Sequence, residues 1–288
     1  MTGAQTSAAR RADEFRFVSL LALELENGDI SLPSLPDVVL KIRSLLERDD
    51  CDFAMVSQAI SVDPVLVSKL FVYANSAYYN RANVKIDTLE GAIGRLGFEV
   101  VRNAAMSMAM KQLHSSDKKS MSSAHFRRIW ASGMKLSSMA HAVAGQRSYF
   151  NRETAYLCGL MHEVGKLYIL TKAEDFPALL GEVQSLQQVL EEWNPQVSKS
   201  IIESWGFPDE VAESADPASY VDNGAGSAAT FADVMFVSKL FVDGNDAKLG
   251  AVFEDSPSCR RLWVDEKAAA EIMLAYRDQL KSMQQLLA

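Results

Sequence analysis

The chain is poor in the residue types on which most protein chemistries depend. Its three cysteines, Cys51, Cys158 and Cys259, are far apart, odd in number and without a CxxC spacing. That argues against a disulfide framework and a zinc ribbon, and fits a reducing compartment. Long apolar runs are missing too: Ser, Lys or Glu interrupts every candidate, so no membrane insertion is expected. The opening residues MTGAQTSAARRADEF carry two arginines with no apolar segment behind them, unlike a secretory leader. Basic residues are in deficit, 29 Lys and Arg against 37 Asp and Glu, for a net charge of −8. Nucleic-acid binding relies on Lys and Arg neutralising phosphates, so this field opposes polyanions. No GxSxG, P-loop, dinucleotide fingerprint or HExxH motif occurs, which leaves the usual hydrolase and nucleotide-binding signatures unsupported. Strand-like alternation is scarce, and no repeat of solenoid period is visible.

What remains is helical periodicity in 288 residues that are 48% apolar, enough to bury a core in one large domain or two smaller ones. Residues 1–13 read as a polar, mobile tail. From Ser34 to about His114 the segments are short and sharply punctuated. Ser34–Leu35–Pro36–Asp37 opens a helix with Val38, Val39, Ile42, Leu45 and Leu46 on one face. Asp52 can cap a second helix through Val56 and Ile60, and Asp63–Pro64 couples an N-cap acceptor to a proline at the first helical position. Thr88 caps another helix, which Gly97 ends in a left-handed position. Phe98 to Leu113 follows, with Ala104, Met106, Met108 and Met110 suited to close packing. His114–Ser123 is polar and aperiodic, a natural boundary. Beyond it the expected helices span 121–145, 152–171, 176–193, 195–205, 227–243 and Val264 to the end, and Ala215–Gly226 is loop-like. The domains expected are thus a first bundle over 14–115 and a second over 120–288.

Candidate chemistry is thin. Of the four histidines, His114, His125, His141 and His162, only the last has a suggestive setting. In Leu160–Met161–His162–Glu163–Val164–Gly165–Lys166 an imidazole and a carboxylate are adjacent, and a glycine lets another backbone approach. Neighbours on a helix point about 100° apart, so such a pair serves one metal only at a bend or terminus. Cys158 and His162, four residues apart, could form a nucleophile–base pair, but the apolar surroundings raise a thiol pKa and a core cysteine is favoured. Phe53–Ile60 and Pro64–Asn75 have helix-turn-helix proportions, yet the second helix offers base edges a single lysine, Lys69, so core packing explains it better.

Several motifs in order carry a resemblance. Leu32–Pro33–Ser34–Leu35–Pro36 before a Val/Ile-rich helix, Val62–Asp63–Pro64–Val65–Leu66, then Tyr73–Ala74–Asn75–Ser76–Ala77–Tyr78–Tyr79, then Ile86–Asp87–Thr88–Leu89–Glu90–Gly91–Ala92–Ile93–Gly94–Arg95–Leu96–Gly97 together resemble HDOD domains, from about residue 30 to 245. The resemblance implies an all-α fold of two helical bundles, the C-terminal one like the HD-domain phosphohydrolases. Their metal ligands are a His, a His-Asp pair, further histidines and a late Asp. Here the first falls near Ser132 and the pair on His162–Glu163. The later histidine positions fall near Asn194 and Asp216, and the late aspartate on Asp233. His162, Glu163 and Asp233 are thus the candidates for a vestigial metal site. A hydrolytic centre needs several convergent imidazole or carboxylate ligands and an open position, so neither catalysis nor a resident metal or other cofactor is expected. The implied role is a cytoplasmic, bacterial, non-catalytic signal-transduction protein that acts on signalling partners the residues do not name. No receiver, GGDEF or EAL motif accompanies it. The alternatives are a residual metal-dependent phosphohydrolase on nucleotides or cyclic dinucleotides, and a module binding a small phosphorylated ligand.

Overall fold

A computed structural model describes residues 3–28, 30, 36–115, 123–181, 183–216, 228–244 and 256–287. Every regular element among the described residues is helical. In the first bundle, α2 (Asp37–Leu46), α3 (Phe53–Ile60), α4 (Pro64–Ala74), α5 (Leu89–Leu96) and α6 (Phe98–Ser115) pack on one another. Their starts follow the expected capping chemistry. Asp52 accepts from the Met55 amide, Asp63 from Val65 and Leu66, and Thr88 from Gly91. Gly97 ends α5 at φ 83°, a value that favours glycine. Met106, Met108 and Met110 are buried in the core, and the helix-turn-helix-like pair turns Leu66, Leu70 and Ala74 inward as expected. The Leu32–Leu35 part of the opening motif, the 116–122 boundary and most of the Ala215–Gly226 loop lie outside the described residues.

The second bundle is centred on α7 (Ser123–Ala144), which packs most extensively on α8 (Arg152–Met161). Glycine makes that contact possible: a Cβ on Gly159 would stand 2.4 Å from the Ser137 Cα and 2.6 Å from its amide nitrogen. The remaining helices are α9 (Val164–Ala173), α10 (Pro177–Leu180), α11 (Val183–Ser204), α12 (Asp209–Glu213), α13 (Phe231–Asp243), α14 (Pro257–Leu262) and α15 (Glu266–Leu287). The second bundle departs from the periodicity reading at several points, two of them at the site described below. The span 152–171 is two helices broken at His162–Glu163, and α11 runs unbroken through Pro195, where a boundary is expected. Apolar residues on both sides of that proline, Leu186, Val189 and Leu190 before it and Val197, Ile201 and Ile202 after it, are buried. Tertiary packing therefore outweighs the lost N–H bond.

The chain ends cross between bundles. α1 (Gly3–Asn27) is helical from Gly3, where a tail is expected, and packs chiefly on α10 and α11 of the second bundle. Phe17 and Leu21 are fully buried, Phe17 meets the Phe176 ring edge-on at 5.2 Å, and Glu24 accepts from Tyr168 and Lys172 at 2.5 Å each. At the other end α15 packs on α7, α4 and α6, where the Tyr73 hydroxyl lies 2.8 Å from the Met283 sulfur. One continuous apolar core results.

Candidate functional site

Five segments converge on a cleft of about 500 Å³. α7 contributes Ser132 and Leu136, and the α8–α9 break contributes His162, Glu163 and Lys166. α11 contributes Glu191, Asn194 and Pro195, the residues after α12 Ala215 and Asp216, and α13 Lys239, Val242 and Asp243. The structure thus gathers Ser132, His162, Glu163, Asn194 and Asp216, which lie apart in sequence.

The break is what allows the adjacent His162 and Glu163 to line one cleft. His162 closes α8 in helical conformation, and Glu163 opens α9 at φ −109°, ψ 17° without capping it through its side chain. Such a break exposes a carbonyl and the first amides of the next helix, which must find partners when buried. Two side chains from α11 supply them. Asn194 donates to the His162 carbonyl at 3.1 Å and accepts from the Lys166 amide at 3.1 Å. Ser198 accepts from the Gly165 amide at 2.8 Å, and its oxygen stands 3.2 Å from the His162 carbonyl and 3.0 Å from Asn194 Oδ1. Gly165 is required here, since a Cβ would lie 2.7 Å from the Ser198 nitrogen and 2.8 Å from the Asn194 carbonyl. Asn194, whose position suggests a lost histidine ligand, is therefore a helix clamp.

The His162 ring is 2% exposed. Burial drives its pKa well below the usual value, the Lys239 and Lys166 charges add to that, and a hydrogen bond to the Ser214 backbone opposes it. The ring is neutral at physiological pH, and its Nδ1 has no partner. Glu163 receives the Lys166 ammonium on Oε1 at 2.5 Å, while its buried Oε2 is also without a partner. Lys239 is held below the usual lysine range by burial, an effect that Glu163 opposes.

Asp233 does not belong to this cleft. It sits in the first turn of α13, where it accepts from the Thr230 amide at 2.9 Å and from Ser258 at 2.6 Å and pairs with the Arg261 guanidinium. Burial raises its carboxyl, but the bonds from Arg261 and Ser258 outweigh that and hold it below the usual carboxylate range. A motif-level alignment cannot distinguish a capping aspartate from a ligand, since both stand near a helix start. Lys239 was the residue that sequence reasoning missed: a lysine on an apolar helix looks like a solvated position.

A divalent ion needs at least three or four convergent donors. Among the described residues no group of three or more His, Cys, Asp or Glu side chains is arranged to hold one. His162 Nδ1 and Glu163 Oε2 fit as donors, but Asn194 is held by backbone groups and Lys166 and Lys239 bring positive charge to the same space. The donor set does not fit a resident metal. Cys158 offers no nucleophile either: it is fully buried, and desolvation pushes its thiol up to about 12. A second buried polar cluster, unmarked by any motif, joins the bundles: Asn103 donates to Glu153 at 3.0 Å, and His141 Nε2 lies 3.3 Å from the other Glu153 oxygen. No described helix is long and apolar enough to cross a membrane.

Comparison with known proteins places this geometry. The fold is similar to that of a Shewanella amazonensis SB2B protein provisionally named a metal-dependent phosphohydrolase, with TM-score 0.78 and 22% identity over 94% of this chain and 99% of that one. It is also similar to an HDOD domain protein of unknown function from Geobacter sulfurreducens, with TM-score 0.69 and 19% identity over 93% and 97% of the two chains. A Marinobacter aquaeolei VT8 protein provisionally named for signal transduction matches with TM-score 0.62 and 20% identity, over 97% of this chain and 66% of that one. An uncharacterised Treponema pallidum (strain Nichols) protein is 23% identical over 204 residues, 66% of this chain but 38% of that protein's length. The family model for the HDOD domain matches residues 32–219, more than half of the sequence, and the chain belongs to the HDOD domain family.

Proposed function

We propose that this chain is a non-catalytic regulatory or scaffold protein of bacterial signal transduction, cytoplasmic, acting through contacts with other signalling proteins. The observation that carries the reading is the chemistry of the cleft. Where a phosphohydrolase would present further ligands beside His162 and Glu163, this cleft has a serine and an asparagine tied to main-chain groups, and two lysines line it among its carboxylates. A cleft so furnished lacks the means to hold and activate a hydrolytic water at a metal. The signal-transduction name of the Marinobacter relative agrees with this reading.

A second reading keeps some support, because His162 Nδ1 and Glu163 Oε2 are buried without partners, as ligands awaiting an ion would be. The phosphohydrolase name of the Shewanella relative points the same way. Metal analysis of the purified protein and a generic phosphodiester assay in manganese separate the two. The expected result is substoichiometric metal and no turnover. One equivalent of metal, with turnover abolished by His162→Ala, would establish a phosphohydrolase instead.

A further inference from the structure

Two acceptor atoms in the cleft have no donor, and one ammonium has no acceptor. The two acceptors are His162 Nδ1 and Glu163 Oε2, on neighbouring residues that line the same space. The His162 ring is buried, and its Nδ1 has no partner. A neutral imidazole that carries its proton on Nε2 has a free lone pair on Nδ1. The unmatched ammonium is Lys239. It lines the cleft from α13, and no hydrogen bond or ion pair holds its nitrogen among the described residues. Lys166 differs, being bound to the other oxygen of Glu163 at 2.5 Å.

We propose that Lys239 supplies, from the protein itself, the positive charge that a metal ion brings to this kind of cleft, and that its ammonium keeps a divalent cation out. The cleft gathers the carboxylates of Glu163, Glu191, Asp216 and Asp243, and Lys166 and Lys239 are its cations. So much negative charge around a partly buried space needs a counter-charge. The chain provides it covalently. A divalent ion placed on His162 Nδ1 and Glu163 Oε2 would share the cleft with the Lys166 and Lys239 ammoniums, and among the described residues no group of three or more His, Cys, Asp or Glu side chains is arranged to hold it. On this account the site is blocked by an added cation as well as depleted of ligands. The inference rests on the non-catalytic reading of the cleft and adds a cause to it.

The test is cobalt(II) binding, followed by titration calorimetry and by the visible spectrum of the bound ion, on the wild-type chain, Lys239→Met, Lys239→Asp and the double variant Lys239→Asp/His162→Ala. Met keeps the stem and removes the charge, while Asp also adds a donor. Lys239→Asp is expected to bind one equivalent at least about 100-fold more tightly than wild type, and Lys239→Met about tenfold. The double variant should lose the gain and the nitrogen-ligand signature in the spectrum. If Lys239→Asp fails to fold, Lys239→Met decides alone. Folded variants that bind no better than wild type would overturn the inference and leave the non-catalytic reading intact. One equivalent bound tightly by the wild-type chain would overturn both.

Discussion

Two asparagines bridge breaks in this molecule, and their surroundings differ in what they leave open. Asn75 ends α4 and donates to the Phe71 carbonyl at 3.0 Å and the Ile86 carbonyl at 2.9 Å, while its oxygen accepts from the Ile86 amide at 2.9 Å. The chain between is closed as one loop, and Arg95 seals it by donating to the Val84 carbonyl at 2.8 Å. Asn194 performs the same two-ended task at the α8–α9 break. Around Asn75 the backbone groups it bonds are matched, although the neighbouring Ser76 hydroxyl is buried without a partner. Around Asn194 the main chain is matched, but the side chains of His162 and Glu163 each keep a buried atom without a partner. A native fold satisfies nearly all its buried polar atoms. Orphaned polar atoms occur in both bundles, on Arg43, Ser76, Arg102 and Asn103 in the first; what sets the second apart is that two of them, on His162 and Glu163, belong to residues lining one cleft.

Breaking a closed cluster should cost most. Asp233 and Arg261 are 5% and 9% exposed, and removing one leaves the other buried and unpaired. Asp233→Ala is expected to lower stability by about 3–5 kcal/mol in urea denaturation. It should leave cobalt affinity unchanged in a Lys239→Asp background, because the side chain does not line the cleft. Next comes Asn75→Ala, which removes three hydrogen bonds and leaves partly buried backbone groups without partners, at a cost of about 2–3 kcal/mol. Asn194→Ala should cost about 2 kcal/mol, because Ser198 remains to hold the His162 carbonyl and the Gly165 amide. A larger loss at Asn194 than at Asn75 would reverse the order argued here.

Much of the first bundle was legible because its signals are local. Asp52, Asp63 and Thr88 cap helices through atoms two or three residues away, and such spacing is visible in a sequence. The cleft was legible in part. Ser132, His162, Glu163, Asn194 and Asp216 do meet, but only through positions borrowed from a family pattern. What each residue does there was hidden, because it depends on which helix lies opposite. Asn194 reads as a poor ligand until the α8–α9 break lies against it. Asp233 reads as a ligand until Arg261, 28 residues on, is seen beside it. Lys239 carries no local signal at all, and the helical run of α11 through Pro195 is decided by packing.

The smallest effect tests the open end of the comparison. The His162 carbonyl accepts from Asn194 while the ring Nδ1 has no partner, so the tie to α11 runs through the main chain and not the imidazole. His162→Leu should therefore cost only about 1 kcal/mol near neutral pH. The sign then changes with acid. Burial, helped by Lys239 and Lys166, holds the folded pKa well below 6.5, so below that pH the unfolded chain binds a proton that the native ring refuses. Wild-type stability should fall as pH drops through that window, by up to about 1.4 kcal/mol per pH unit from this group alone. The leucine variant has no such term. Urea denaturation at about pH 7.5 and about pH 5 should show the variant slightly weaker at the first and equal or stronger at the second. Parallel pH profiles for the two proteins would mean that the native imidazole takes up its proton as readily as the unfolded one, against the burial argued here.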